Sequence, residues 1–186
     1  MSGLDYSVSV MNAMYASNNK GISVKSTIID KVLPAGGDLR FTPSNDFFGQ
    51  DPDPGHTKYC LVIVMYSWAG GVPSYVAFGA QEGSPMEILP DGQLTLVPQQ
   101  PVLQARAGRH RILWAVYANR FGGLDTTSCV QALENTNVSS TGVFVGPQTL
   151  GYDFSPGQSK YLFICCGDEK NATFKAGVDG ATLVVS

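Results

Sequence analysis

Histidine is nearly missing from this chain: only His56 and His110 occur in 186 residues. Ser-His-Asp or Cys-His catalysis would need one of them beside a nucleophile, and no G-x-S-x-G elbow is present. Charge is sparse as well. Asp, Glu, Lys and Arg make up 15% of the residues and the net charge is −3, which gives no general attraction to nucleic acid or to an anionic membrane. No apolar run reaches the roughly 18–20 residues needed to span a bilayer. The N-terminus, Met1-Ser2-Gly3-Leu4-Asp5-Tyr6, has neither a basic n-region nor an apolar h-region, so no secretory signal is read there. Cysteine is limited to Cys60, Cys129, Cys165 and Cys166, with no C-x-x-C spacing. Three of these lie in apolar runs, where a reduced cysteine behaves as a small hydrophobe. A cytoplasmic, reduced protein without metal or cofactor is the expectation, and the formal sequons at Asn137 and Asn171 then carry no weight. P-loop and dinucleotide fingerprints are also missing.

What the chain does have is glycine (21), proline (11) and a repeated sentence. Gly49-Gln50-Asp51-Pro52-Asp53-Pro54-Gly55-His56-Thr57-Lys58-Tyr59 returns as Gly151-Tyr152-Asp153-Phe154-Ser155-Pro156-Gly157-Gln158-Ser159-Lys160-Tyr161. Both read G-x-D-x-x-P-G-x-x-K-Y. Pro54-Gly55 and Pro156-Gly157 suit the central positions of a type II turn, because proline presets φ and glycine accepts a positive φ. Each turn feeds an apolar run, 59–66 and 161–166, that is hydrophobic on both strand faces and so belongs between two layers.

The repeat extends well beyond the turn. Tyr117 follows Tyr15 by 102 positions (117 − 15), and Lys160 follows Lys58 by the same 102 (160 − 58). Further on, matching Phe174 to Phe78 lowers the offset to 96 (174 − 78), which implies a hairpin six residues longer in the first copy (102 − 96). Residues 6–10 alternate as a half-buried strand, residues 28–33 carry the spacing of one helical turn, and Asp38–Thr42 reads as a short strand. Pro34-Ala35-Gly36-Gly37 stops that segment, Gln93–Val97 reads as a strand, and Pro98 and Pro101 mark a connector or sheet edge. The fold class expected is all-β: tandem duplicated β-sandwich modules with pseudo-two-fold symmetry. The first would span 1–97, a linker or edge 98–108, and the second 109–186.

The run Phe48-Gly49, Asp51-Pro52, Pro54-Gly55, Lys58, Leu61, Ile63 or Val64, and Tyr66, followed by Glu82-Gly83 and Leu89-Pro90, resembles the β-rich C-terminal domain of the DnaJ subfamily C member 11 proteins. Related stand-alone microbial and fungal proteins of unknown function share it. The resemblance covers about residues 20–90 and is weaker in the second copy, where Phe154 stands at the position of Pro52. It implies a β-sandwich-like module and supplies no catalytic residues. The chain has no His-Pro-Asp tripeptide, so a co-chaperone role does not carry over.

Three groupings invite a functional reading. Asp51 and Asp53 form a D-x-D that could ligate calcium, but the further oxygen ligands of an EF-hand loop do not follow, and a structural turn is the plainer reading. Arg106, Arg109, His110 and Arg111 gather at the junction of the copies, either as an anion site or as a solvated connector. Tyr66, Trp68 and Tyr75 surround the Gly70-Gly71 tip of the longer hairpin. Exposed aromatics there would offer flat faces to a sugar ring, a lipid headgroup or a protein; Trp68 folded back over the core is the alternative. The function expected is therefore a non-enzymatic, lectin-like carbohydrate-binding protein using Tyr66, Trp68 and Tyr75, with glycans as partner and no nucleic acid. Two alternatives stand beside it: a membrane-active, pore-forming β-sandwich protein, and a protein-protein assembly module forming a homodimer.

Overall fold

The computed structural model describes residues 6–33, 39–68, 70–88, 103–136, 142–168 and 170–185. The stop at 34–37, the strand expected at 93–97, the connector prolines and the Asn137 sequon lie outside these residues. Within them the same order of elements occurs twice. The first copy runs β1 (Tyr6–Ala16), β2 (Gly21–Ser23), α1 (Lys25–Lys31), β3 (Leu39–Phe41), α2 (Asn45–Phe48), β4 (Tyr59–Trp68), β5 (Ser74–Gln81) and β6 (Met86–Ile88). The second runs β7 (Ile112–Asn119), β8 (Gly122–Asp125), α3 (Thr127–Thr136), β9 (Val143–Phe144), α4 (Pro147–Leu150), β10 (Tyr161–Cys166), β11 (Thr173–Val178) and β12 (Thr182–Leu183). Each copy builds one four-stranded sheet, ordered β2-β1-β4-β5 and β8-β7-β10-β11, and one two-stranded ribbon, β3-β6 and β9-β12. The expected duplication and all-β class are thus present in the topology.

The apolar runs do what two hydrophobic faces require. Along β4, Cys60, Val62, Val64 and Tyr66 join a core with Ile28 of α1, Phe48 of α2 and Met86 and Ile88 of β6. Leu61 and Ile63 point the other way, into a core shared with Val116, Ala118 and Phe163 of the second copy. The second copy repeats this, with Leu162, Ile164 and Cys166 packed beside Val130 of α3 and Leu150 of α4. The two sheets therefore stack face to face, one from each copy, and the short helices and ribbons cover their outer sides. Burying each such Leu, Ile, Val or Phe contributes roughly 1.5–3 kcal/mol. Across the seam the Tyr59 and Tyr161 rings lie 5.1 Å apart. Trp114 also belongs to the seam, 6.3 Å from Phe174.

The turns behave as their residues dictate. Gly55 and Gly157 take φ of 82° and 75°, and His56 N–H and Gln158 N–H close the two turns onto Asp53 O and Ser155 O, each at 3.2 Å. Sequence reading found the helical turn near Ile28 and missed the other helices. α2 is bounded by Ser44, whose Oγ accepts from Phe47 N–H at 3.1 Å, and by Gly49 at φ 75°. A serine cap and a left-handed glycine only a few residues apart leave room for a single turn of helix, too short for any hydrophobic periodicity.

The register of the second hairpin corrects one expectation. Val62 pairs with Phe78 in the first sheet, and Ile164, its counterpart, pairs with Lys175 in the second. The offset beyond the hairpin is therefore 97 (175 − 78), and the hairpins differ by five residues (102 − 97). Phe174 corresponds to Ala77 and faces the seam, whereas Phe78 faces the outer core. Matching the two phenylalanines slips the strand by one residue, and a one-residue slip reverses every face.

Candidate functional site

The lysine of the repeated motif is the buried centre of each copy. Lys58 is 4% exposed, and its Nζ lies 3.2 Å from Asp51 Oδ1 and 3.4 Å from Glu82 Oε2. Lys160 is 3% exposed, 3.0 Å from Asp153 Oδ1 and 3.5 Å from Asp179 Oδ2. The motif aspartate also accepts from the backbone two residues on, Asp53 N–H at 3.0 Å and Ser155 N–H at 3.2 Å. Asp51 is thus an anchor for a turn and a cation, and its carboxylate is already engaged. Tyr15 and Tyr117 stand beside these clusters. Tyr15 donates to Asn45 Oδ1 at 3.1 Å and Tyr117 to Asp179. Burial first, and the nearby carboxylates next, push both phenol pKa values up, so both stay protonated.

Asp53 organises a second network. It accepts from Ser17 Oγ and from Asn19 Nδ2 at 3.1 Å, His56 Nδ1 lies 3.3 Å from it, and the Ser17 hydrogen bond is the first cause of its lowered pKa. Serine, aspartate and histidine meet here, but the carboxylate stands between the other two. His56 makes no bond to Ser17 through which it could take the hydroxyl proton, which a hydrolytic triad requires. His110 pairs with Glu134 at 3.3 Å, the closest charged contact of the Arg106–Arg111 segment. Among the described residues no group of three or more His, Cys, Asp or Glu is arranged to hold a metal.

The three hairpin aromatics are not brought together. Tyr66 is 1% exposed and belongs to the outer core of the first copy. Trp68 shares that strand face by alternation and is half-buried, its Cβ 3.2 Å from where a side chain on Gly71 would start. Tyr75 pairs with Met65 and so faces the opposite side, packed on the seam. The period of two that makes the strand apolar on both faces also separates Tyr66 and Tyr75. The expectation of one exposed aromatic cluster is corrected accordingly, and Tyr66 is a core residue.

Sequence reading gave no hint of a cleft of about 340 Å³ between the copies. Gly79, Ala80 and Ser84 of the first copy form one wall, and Asn119, Arg120, Gln158, Ser159 and Tyr161 of the second form the other. Its position follows from broken symmetry. On the opposite side of the pseudo-two-fold relation, Ala176 N–H donates to Ser17 O at 2.7 Å and closes the seam. The corresponding residues, Gly79 and Asn119, line the cleft. Gly79 is small because the Phe163 ring fills the space of its absent side chain, 2.7 Å from where a Cβ would stand. Asn119 is 2% exposed; its Oδ1 accepts from Phe121 N–H at 2.9 Å, which fixes the amide orientation and leaves Nδ2 without an acceptor among the described residues. Arg120 lies exposed at the rim, its guanidinium 4.6 Å from the Phe121 ring centre. A second cleft, about 370 Å³, lies wholly in the second copy beside Thr126, Cys129 and Tyr152 and offers one unpaired hydroxyl, that of Thr126.

Comparison with protein-family models, with curated proteins and with solved structures finds no match. Among the described residues no helix is long and apolar enough to cross a membrane.

Proposed function

We propose that this protein is a non-enzymatic, lectin-like binding protein whose small polyhydroxylated ligand sits in the cleft between the copies. The observation that carries the reading is the cleft wall. The unpaired buried Nδ2 of Asn119 lines one space of ligand size together with Ser84, Ser159, Gln158 and Tyr161. Sugars need that mixture of donors, acceptors and an aromatic surface. The position of Asp53 between Ser17 and His56 supports binding over hydrolysis. Four unpaired thiols suit a reducing, cytoplasmic setting, which belongs to the same proposal. So does kinship of module with the DnaJ subfamily C member 11 C-terminal domain, resting on the motif residues from Phe48 to Tyr66 with Glu82, Gly83, Leu89 and Pro90.

The test is a titration of isotope-labelled protein with glucose, galactose and mannose, followed by amide NMR. Shifts centred on Asn119, Arg120 and Ser159 are expected. Spectra that stay unchanged at millimolar sugar, or shifts confined to the hairpin tip at 70–73, would overturn the placement.

A further inference from the structure

Resting on the binding function proposed above, a comparison of the two copies points to the chemistry of the ligand. The offset of 102 aligns Ser17 with Asn119, Asn19 with Phe121, Asp53 with Ser155 and His56 with Gln158. In the first copy the Asp53 carboxylate gathers the donors of this corner, Ser17 Oγ and Asn19 Nδ2, with His56 Nδ1 3.3 Å away. In the second copy serine replaces that aspartate. A donor nevertheless remains, since Asn119 Nδ2 is buried, lines the cleft and has no acceptor among the described residues. Leaving such a donor buried and unmatched carries a cost that a ligand oxygen would relieve.

We infer that the second-copy cleft takes a ligand bearing a carboxylate, an acidic sugar such as a uronate, whose carboxylate stands where the Asp53 side chain stands in the first copy. Asn119 Nδ2 supplies one hydrogen bond. Arg120, at the rim of the same cleft, supplies the positive charge; among the described residues no carboxylate pairs with it. The acids on the nearby turns are ion-paired, Glu82 with Lys58 and Asp179 with Lys160, but each lysine is shared with a second carboxylate, Asp51 or Asp153, so Arg120 is the group that must offset the remaining negative charge. The Gln158 amide and the Ser84 and Ser159 hydroxyls face the remaining ligand hydroxyls. At the corresponding corner of the first copy its own aspartate takes that place and the Ala176 to Ser17 hydrogen bond closes the seam.

The experiment is amide NMR titration of the full chain with glucuronate, glucose and acetate in parallel, on the native protein and on three variants. Glucuronate is expected to bind at least about tenfold more tightly than either glucose or acetate, the scale of one charge-assisted hydrogen bond. Ser155→Asp restores the internal carboxylate and is expected to abolish that preference while the spectrum stays folded. Asn119→Asp keeps the acceptor for Phe121 N–H but repels an anion, and it is expected to act in the same direction, as is Arg120→Gln. Equal affinity for glucuronate and glucose would overturn the acid assignment and leave the sugar-binding reading standing. Acetate as tight as glucuronate would do the reverse. No shifts with any of the three would overturn both.

Discussion

Lys58 and Lys160 show how much structure rests on single side chains. Each is a buried cation held by two carboxylates that come from separate turns, so each ties the Pro-Gly turn to the acid-Gly turn of its copy. Removing one member of a buried pair commonly costs about 3–5 kcal/mol. Asp51 and Glu82 keep 29% and 26% of their side-chain surface in water, so Lys58→Met is expected to lose less, about 2–3 kcal/mol by urea denaturation. A loss under about 0.5 kcal/mol would mean that the lysine merely fills space. Asp53 has a different signature. Its folded pKa lies below the ordinary carboxylate value, chiefly through the Ser17 hydrogen bond. Its stabilisation is therefore complete above about pH 4 and is lost as pH falls through the lowered value. In Ser17→Ala that pKa should return towards normal, and the acid limb of the stability profile should become shallower. An acid limb identical to that of the native protein would show that Ser17 does not hold the carboxylate.

At the scale of elements, the hairpins decide how the two sheets meet. β5 and β8 approach closely because glycine sits at the contact: a Cβ on Gly123 would stand 2.7 Å from Ala118 Cβ and 3.2 Å from Ala77 Cβ, the latter across the seam. Gly123→Ala is expected to destabilise by about 1–3 kcal/mol through overpacking, read as a lowered melting temperature. An unchanged melting temperature would mean the sheets can shift apart freely. The longer strands were legible in the sequence through their alternation and apolar runs, whereas β8 and β9, of four and two residues, were not read. α2 and α4 were not, each spanning four residues, and α3 was missed although it has ten. The register of β11 was misread because Phe174 and Phe78 look alike, and composition cannot show which face a side chain takes.

In the whole molecule the copies share a core, and this bears on how it unfolds. Phe163, Leu61, Val116 and Met14 are each fully or almost fully buried only because the sheets are stacked. Neither sheet keeps that face dry alone, so the two halves are expected to unfold together. The chain carries one tryptophan per copy, Trp68 and Trp114. Variants with Trp68→Phe or Trp114→Phe leave one reporter each, and their fluorescence midpoints in urea should coincide. Two separated midpoints would show copies that are stable independently. The sequence by itself determined the duplication, the Pro-Gly turns, the longer strands and the all-β class, because each is written in local periodicity and in the backbone preferences of proline and glycine. Only the tertiary structure decided that each copy supplies one layer, that Tyr66 and Tyr75 face apart, and that a cleft opens at Asn119. The layering and the cleft depend on residues distant in sequence meeting across the seam, such as Ala176 on Ser17 and Phe163 on Gly79, and no local pattern encodes how two similar surfaces pack or where their symmetry fails.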